Sequence, residues 1–377
     1  MLIVVAQSVT AGAEAFGTLG EVKVLPDRKI TRNDLLDADA LIIRSKTVVN
    51  AALLEGTRVR YVGTATAGFD HLDTAWLDRA GIAWNPAAGC NANSVAEYVM
   101  AALLILHRRH GLPLSGKTLG VIGVGQVGRR VAHKARALGL RVLENDPPRQ
   151  ERELEHPFTS VADLLPQSDY VTLHVPLTDD GPHATRGMVD DAWLARVRPG
   201  AVFLNASRGE VVREDALRRA LDAGRVTRPV LDVWDHEPDI DPALLARAEL
   251  ATPHIAGYSF DGKLAGTEII YRDGCRALGR TPVWRYAGRP APRELPLAAA
   301  GKTTEAIAHE AVRAMYDLEA DDRALRAPPP GVTLGAHFEA LRKGYPKRLE
   351  FANARVVLNP PHSEAARLLD AFGFAVG

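Results

Sequence analysis

The sequence predicts an α/β protein: two Rossmann-like, doubly wound parallel-sheet lobes followed by a small α+β C-terminal domain. Three observations lead there. Short apolar strands alternate with helical segments from Leu2 to about Ile255, the pattern of parallel sheets with crossover helices. The run Gly123-Val124-Gly125-Gln126-Val127-Gly128 falls between a strand pattern and a helix pattern. At 377 residues the chain also exceeds the ~250–300 residues at which single cores stop growing.

In the first lobe the strands are Leu2 to Ala6, Glu21 to Leu25, Ala40 to Arg44, Arg60 to Thr64 and Ile82 to Asn85. Helical segments fall between them. Ser94-Val95-Ala96-Glu97 reads as a capping box. It opens an apolar helix through Leu106, stopped by His107-Arg108-Arg109-His110 and Gly111. That helix is expected to lead rigidly into the second lobe.

The second lobe begins with Lys117 to Ile122 as a strand and Gln126 to Leu138 as a helix ended by Gly139. Arg141 to Asn145 is the next strand, and Asp146 follows it. The glycine spacing allows a tight turn, a close approach of backbone to a pyrophosphate, and close packing of helix on strand. The helix start, from Gln126, Val127 and Gly128, offers free N–H groups to the phosphates. Asp146 comes about 20 residues later, where an acid reaches a ribose 2′-hydroxyl. Further strands are Tyr170 to His174, Ala201 to Asn205 and Pro229 to Val233, and Glu249 to Ile255 leads out. Phe260 to Leu278 reads as a helix returning to the first lobe.

Thr281 to Ala298, rich in proline and glycine, reads as a linker. The tail beyond it reads as helix (303–318), a Pro328-Pro329-Pro330 loop, helix (335–343), strand (354–358) and helix (363–372). Its apolar residues Leu368, Leu369 and Phe372 are too few for an independent core and suggest a symmetric homodimer. The expected boundaries are a substrate-binding lobe at 1–93 with 255–286, a dinucleotide-binding domain at 94–254, and a dimerisation domain at 287–377.

Lys plus Arg and Asp plus Glu both number 46, so no global charge argues for nucleic acid or an anionic membrane. No apolar run reaches the ~18 residues of a membrane helix. The apolar opening Met1 to Ala6 lacks a basic segment and is too short for a signal peptide. Two cysteines, Cys90 and Cys275, make neither a disulfide framework nor a metal cluster, so a reducing compartment, the cytoplasm, is expected and no metal.

In an open parallel sheet, ligands lie beyond the carboxyl ends of the strands. There the second lobe carries Ala206-Ser207-Arg208-Gly209, Trp234-Asp235-His236-Glu237-Pro238 and Thr252-Pro253-His254-Ile255-Ala256-Gly257. An arginine, a glutamate and a histidine suit hydride transfer at a 2-hydroxy acid. Arg208 can hold a carboxylate in bidentate fashion. His254 can take the hydroxyl proton, with Glu237 fixing its tautomer and raising its pKa. Singly, these could be a surface arginine, a solvated turn acid and a loop histidine. His236, beside Glu237, competes with His254 as base.

With these stretches the chain resembles the D-isomer-specific 2-hydroxyacid dehydrogenases. Matching runs are Ala65 to Asp73, Asn93-Ser94-Val95-Ala96-Glu97, Gly123 to Gly128, His174-Val175-Pro176-Leu177-Thr178, Asn205 to Gly209, Asp232-Val233 and Thr252 to Gly257. The resemblance covers residues 1 to about 280. It implies NAD as cofactor, Arg208, Glu237 and His254 as catalytic residues, and Asp146 on the adenosine ribose. It also puts Val175, Ala206, Ser207, Asp232 and Gly257 near the cofactor, alongside Gly123, Gly125, Gln126, Val127 and Gly128. Relatives often carry Thr at the place of Val175, which leaves only a backbone contact there.

Within the family, Ile43-Arg44-Ser45-Lys46-Thr47, Gly257-Tyr258-Ser259 and the tail run Leu341 to Arg348 resemble one branch whose tail is associated with homodimers. That resemblance implies substrate contacts from Ser45, Thr66 and Tyr258 and a phosphorylated 2-hydroxy acid as substrate. The phosphate needs cations separate from Arg208. Arg44 is the first candidate, and the tail group of Arg342, Lys343, Lys347 and Arg348 is the second, with Arg348 as its representative. Two alternatives stay open. One is another dehydrogenase of the family, such as one acting on 3-phosphoglycerate. The other is a non-catalytic NAD-sensing interaction protein.

Overall fold

Three all-parallel sheets organise residues 1–377, all of which the computed structural model describes. The first contains β1 (Leu2–Ala6), β2 (Glu21–Leu25), β3 (Ala40–Ile43), β4 (Tyr61–Thr64) and β5 (Ala83–Pro86) in the order β2-β1-β3-β4-β5. β3 and β4 are buried along their whole length, as expected of strands covered on both faces. Helix Phe260–Ala277 packs on β4 through Ile270 and Tyr271, and Tyr61 donates its hydroxyl to the Ile270 carbonyl at 2.8 Å. These elements make one compact unit, Met1–Asn91 with Ser259–Pro290.

The second sheet contains β6 (Thr118–Ile122), β7 (Arg141–Asn145), β8 (Tyr170–Leu173), β9 (Val202–Asn205), β10 (Val230–Leu231) and β11 (Leu250–Ala251). Its order is β11-β10-β9-β8-β6-β7. The order reverses between β6 and β8, the place where doubly wound sheets bind their ligands. The glycine loop lies immediately after β6, at that point.

The tail carries more strand than its sequence suggests. β12 (Arg293–Ala298), β13 (Ala354–Asn359) and β14 (Ala375–Val376) form a third sheet, in the order β12-β13-β14. β12 falls inside the stretch read as linker for its prolines and glycines, with Pro292 just before it and Pro296 within it. It survives as an edge strand, where proline is tolerated. The helix expected over 303–318 stops at Met315. Tyr316 is extended, and Asp317 caps a separate helix, Leu318–Leu325.

The tail shares a core with the second sheet's helices, and Ala92–Tyr258 with Ala291–Gly377 forms the other compact unit. Leu368, Leu369 and Phe372 are buried in this core, against helix Gly128–Ala137 among others. The expectation that they face a partner subunit is corrected: the chain itself covers them. Helix Ala92–His110 is buried all round from Ser94 to Leu106, which marks a core helix. The capping box is corrected too, since the helix starts at Ala92 and Ser94 lies inside it. Ser94 donates to the Ala256 carbonyl at 2.9 Å, and fully buried Glu97 accepts from the Phe351 N–H at 2.8 Å.

Candidate functional site

The glycine loop after β6 is built for close approach. Gly123 has φ +84°, and a Cβ there would stand 2.6 Å from the His174 carbonyl oxygen. A Cβ on Gly128 would stand 2.0 Å from the Gly123 carbonyl oxygen. The chain's own packing therefore demands both glycines. No protein atom lies within 4 Å of where a Cβ on Gly125 would be, so the backbone there is open to a ligand. Helix Gly128–Ala137 follows, and its N-cap, Val127, makes no side-chain cap. Asp146 closes the arrangement from β7. Its Oδ2 accepts from the Val124 N–H at 2.8 Å and its Oδ1 from the Arg149 N–H at 3.0 Å. Each oxygen keeps a second lone pair, so the carboxylate can still accept from a ribose hydroxyl. These residues fit a dinucleotide such as NAD.

Arg149, the residue able to attract a 2′-phosphate, is committed elsewhere. Its Nε donates to Glu153 at 2.9 Å, and its guanidinium lies 5.2 Å from the Phe158 ring centroid. Val175 packs beside Gly123 and presents no polar side chain. His174 is half-buried, its Nε2 3.0 Å from the Thr172 hydroxyl and its Nδ1 enclosed without a partner. Burial pushes its pKa down to about 3, so it stays neutral and structural.

Beyond β9, Asn205 organises the next loop. Its Oδ1 accepts from the Ser207 N–H and hydroxyl at 3.1 and 2.8 Å, and its Nδ2 donates to the Arg208 carbonyl at 3.0 Å. Ala206 lies within this loop. A Cβ on Gly209 would stand 1.9 Å from the Trp234 carbonyl oxygen. The Arg208 loop is thereby pressed directly on the loop that carries Glu237.

Glu237 and His254 form one pair. His254 Nδ1 lies 2.8 Å from Glu237 Oε2, and Glu237 Oε1 accepts from the Trp234 N–H at 3.0 Å. A carboxylate only accepts, so the proton sits on Nδ1 and leaves Nε2 as the basic atom. Burial raises the Glu237 carboxyl, but the His254 charge and hydrogen bond, the Trp234 N–H and Arg342 outweigh it and hold it below the ordinary range. His236 does not compete for this place. Its side chain is 84% exposed and faces Asp235 at 3.4 Å.

His254 adopts φ 55°, which costs an L-residue roughly 1–2 kcal/mol. Asp232 holds it there. Its carbonyl accepts from the His254 N–H at 2.7 Å, and its carboxylate accepts from Thr252 Oγ1 at 2.6 Å, Ile255 N at 2.7 Å and Ala256 N at 3.0 Å. Both Asp232 oxygens are engaged by the chain, so its visible task is to fold the turn that leads into Gly257 and Tyr258. Burial pushes its carboxyl up, against the pull of His254 and these donors.

The tail contributes two arginines of different character. Arg348, expected as a phosphate ligand, is corrected. Its side chain is 3% exposed; it pairs with Glu97 at 3.4 Å, bonds Ser94, and donates to the Tyr258 and Ala256 carbonyls at 3.2 Å each. Its guanidinium also lies 4.0 Å from the Tyr316 ring centroid. Its donors are spent inside the fold. Arg342, in the last turn of helix Leu334–Lys343, reaches the pair instead. Its Nη1 lies 3.9 Å from Glu237 Oε2 and its Nη2 3.3 Å from the Tyr258 hydroxyl. It was only one of four tail cations in the sequence, and no local pattern distinguished it.

The remaining candidates belong to the first unit. Arg44 and Ser45 follow β3, Thr66 follows β4, and the two strands are neighbours with Ile43 opposite Thr64. The Thr66 hydroxyl donates to the Gly68 carbonyl at 2.8 Å and lies 2.8 Å from that of Thr64. Ser45 is exposed and Arg44 half-buried.

Comparison with known proteins follows the same division. Residues 96–256 match the family model of the D-isomer specific 2-hydroxyacid dehydrogenase NAD binding domain, and 290–373 match a domain of unknown function. The chain is 42% identical over 375 residues to the erythronate-4-phosphate dehydrogenase of Proteus mirabilis, covering 99% of both chains. It is 43% identical over 375 residues to that of Edwardsiella ictaluri, again covering 99% of both. Among solved structures, D-lactate dehydrogenase from Aquifex aeolicus, complexed with NAD and lactic acid, is similar at TM-score 0.61 and 25% identity, over 74% of this chain and 96% of that one.

Proposed function

The chain belongs to the erythronate-4-phosphate dehydrogenases of the D-isomer-specific 2-hydroxyacid dehydrogenase family, and from that we propose how its own residues carry the reaction. The reaction is the NAD-dependent oxidation of 4-phospho-D-erythronate to 3-hydroxy-2-oxo-4-phosphobutanoate, a step of pyridoxal 5′-phosphate biosynthesis. When bound, NAD supplies the acceptor for the hydride that leaves C2. Arg208 binds the substrate carboxylate. His254 removes the C2 hydroxyl proton at Nε2. Glu237 holds the imidazole in the tautomer that leaves this atom basic and stabilises the imidazolium formed. Gly123, Gly125, Gln126, Val127, Gly128 and Asp146 hold the dinucleotide, with Val175, Ala206, Ser207, Asp232 and Gly257 adjoining it. Arg44 and Ser45 are our candidates for the phosphate, and Thr66 and Tyr258 for the rest of the substrate.

The observation that carries this reading is the 2.8 Å pairing of His254 Nδ1 with Glu237 Oε2, the Glu237 loop being pressed against the one that bears Arg208. The decisive experiment is a panel of 2-hydroxy acids with and without a terminal phosphate, followed by NADH formation. 4-Phospho-D-erythronate should be oxidised far better than erythronate. Equal activity on the two would overturn the substrate and the phosphate site together.

We also propose a homodimer formed through 287–377, now through the outward face of β13, where Val357 is 38% exposed. Light scattering on the full chain and on a Val357→Glu variant tests it, and a variant that stays dimeric sinks it. The cytoplasmic reading rests on Cys90 and Cys275 being unbridged. No helix is long and apolar enough to cross a membrane.

A further inference from the structure

We propose that Arg342, from the C-terminal region that matches a domain of unknown function, is a positioning residue of the dehydrogenase chemistry: its charge, beside Glu237, tunes the proton affinity of His254. The proposal rests on His254 being the base.

The argument begins with a contrast. Arg348 is buried and spends its donors on Glu97, Ser94 and two carbonyls, which makes it a brace. Arg342 is nearly as enclosed, with its side chain 17% exposed. Yet it makes one long hydrogen bond, 3.3 Å to the Tyr258 hydroxyl, and its Nε is buried with no partner. Burying a guanidinium costs several kcal/mol unless charge or hydrogen bonds compensate. Here hydrogen bonds do little, so charge must. Glu237 Oε2 at 3.9 Å and Glu339 Oε1 at 3.8 Å supply it, with the Tyr258 and Phe338 rings 5.9 and 5.8 Å from the guanidinium.

Glu237 Oε2 is also the oxygen that faces His254. One carboxylate oxygen is thus shared between an imidazole and a guanidinium. A positive charge on the far side of the carboxylate opposes the imidazolium and favours neutral His254, the form that accepts a proton. The charged and titratable groups around the pair are Asp232 beneath His254, Arg342 and Glu339 on the tail helix, the Tyr258 phenol, and Arg208 on the neighbouring loop.

The test is Arg342→Gln and Arg342→Lys in the full-length protein, with two readouts. The first is the titration of His254 by NMR on histidine-labelled protein without ligands, its signal identified by loss in His254→Gln. The second is the low-pH limb of kcat/KM for 4-phospho-D-erythronate oxidation, which reports the free enzyme's base. Arg342→Gln should raise the His254 pKa by roughly 0.5–1 unit, and the limb should follow. Arg342→Lys, which keeps the charge, should leave both near wild type. An unmoved titration overturns the proposal: with a raised KM it makes Arg342 a substrate ligand, and with only a lowered melting temperature a structural prop. A titration that moves while the limb stays upholds the coupling and overturns His254 as the base.

Discussion

His254 Nδ1 and Glu237 Oε2 stand 2.8 Å apart on loops that follow two different strands. His254→Ala should lower turnover by roughly 10²–10⁴-fold with NAD affinity unchanged. His236→Ala should be close to wild type, because that side chain is 84% exposed. Steady-state kinetics with a calorimetric NAD titration checks both; greater damage from the His236 change reverses the assignment.

Glu237→Gln has a signed consequence. The carboxylate stabilises the imidazolium, so its loss lowers the His254 pKa and moves the acidic limb of the oxidation profile to lower pH. The pH dependence of kcat/KM measures this. A limb that moves upward would mean that Glu237 was not ionised.

Asp146 should enforce NAD over NADP by repelling the 2′-phosphate, since Arg149 is held by Glu153. Wild-type kcat/KM should favour NAD at least roughly tenfold, and Asp146→Ser should narrow the gap. Comparable efficiency of the wild type with both cofactors would remove the claim.

Arg348→Met should act on stability. It takes the guanidinium from Glu97, which is 0% exposed, and a donor from Ser94 and the Tyr258 and Ala256 carbonyls, at a cost of roughly 3–5 kcal/mol. Urea unfolding reads the loss. A variant as stable as wild type, with only a raised KM for the phosphorylated substrate, would return Arg348 to the substrate site.

His174 makes the folded state sensitive to acid. Its pKa is pushed down to about 3 by burial, whereas an unfolded histidine titrates near ~6.5. Between these values the unfolded chain binds one more proton, so this group's effect on stability is nil above about pH 6.5 and increasingly unfavourable below it. His174→Gln should therefore lose less stability than wild type between about pH 6.5 and 4. Parallel stability curves for the two proteins would contradict this.

The sheets were legible in the sequence because apolar strands buried on both faces leave nearly unbroken runs, as at Ala40–Ile43 and Val202–Asn205. The glycine loop and its aspartate were legible because steric demand at Gly123 and Gly128 excludes every other residue. What escaped depends on distant partners. Ser94 and Glu97 carry the spacing of a cap, but their partners are Ala256, Phe351 and Arg348, 162 to 254 residues away. Nothing local separates Arg342 from Arg348, though one flanks Glu237 and the other braces Glu97. β12 was hidden by Pro296 within it and Pro292 before it, since an edge strand needs only half its hydrogen bonds.

The Arg348 brace also bears on the order of events during synthesis. Ala256, at the turn that carries the histidine, leaves the ribosome 92 residues before the arginine that donates to its carbonyl. Until that arginine emerges, Glu97 has Lys134 as a nearby cation but lacks the guanidinium that meets it in the finished protein. A nascent chain can therefore pair its first strands early but gains the last donors to its histidine turn only once nearly all of it has been made. A chain ending just before Arg348 would carry Arg208, Glu237 and His254, with the Ala256 and Tyr258 carbonyls short of the donor that meets them in the finished protein.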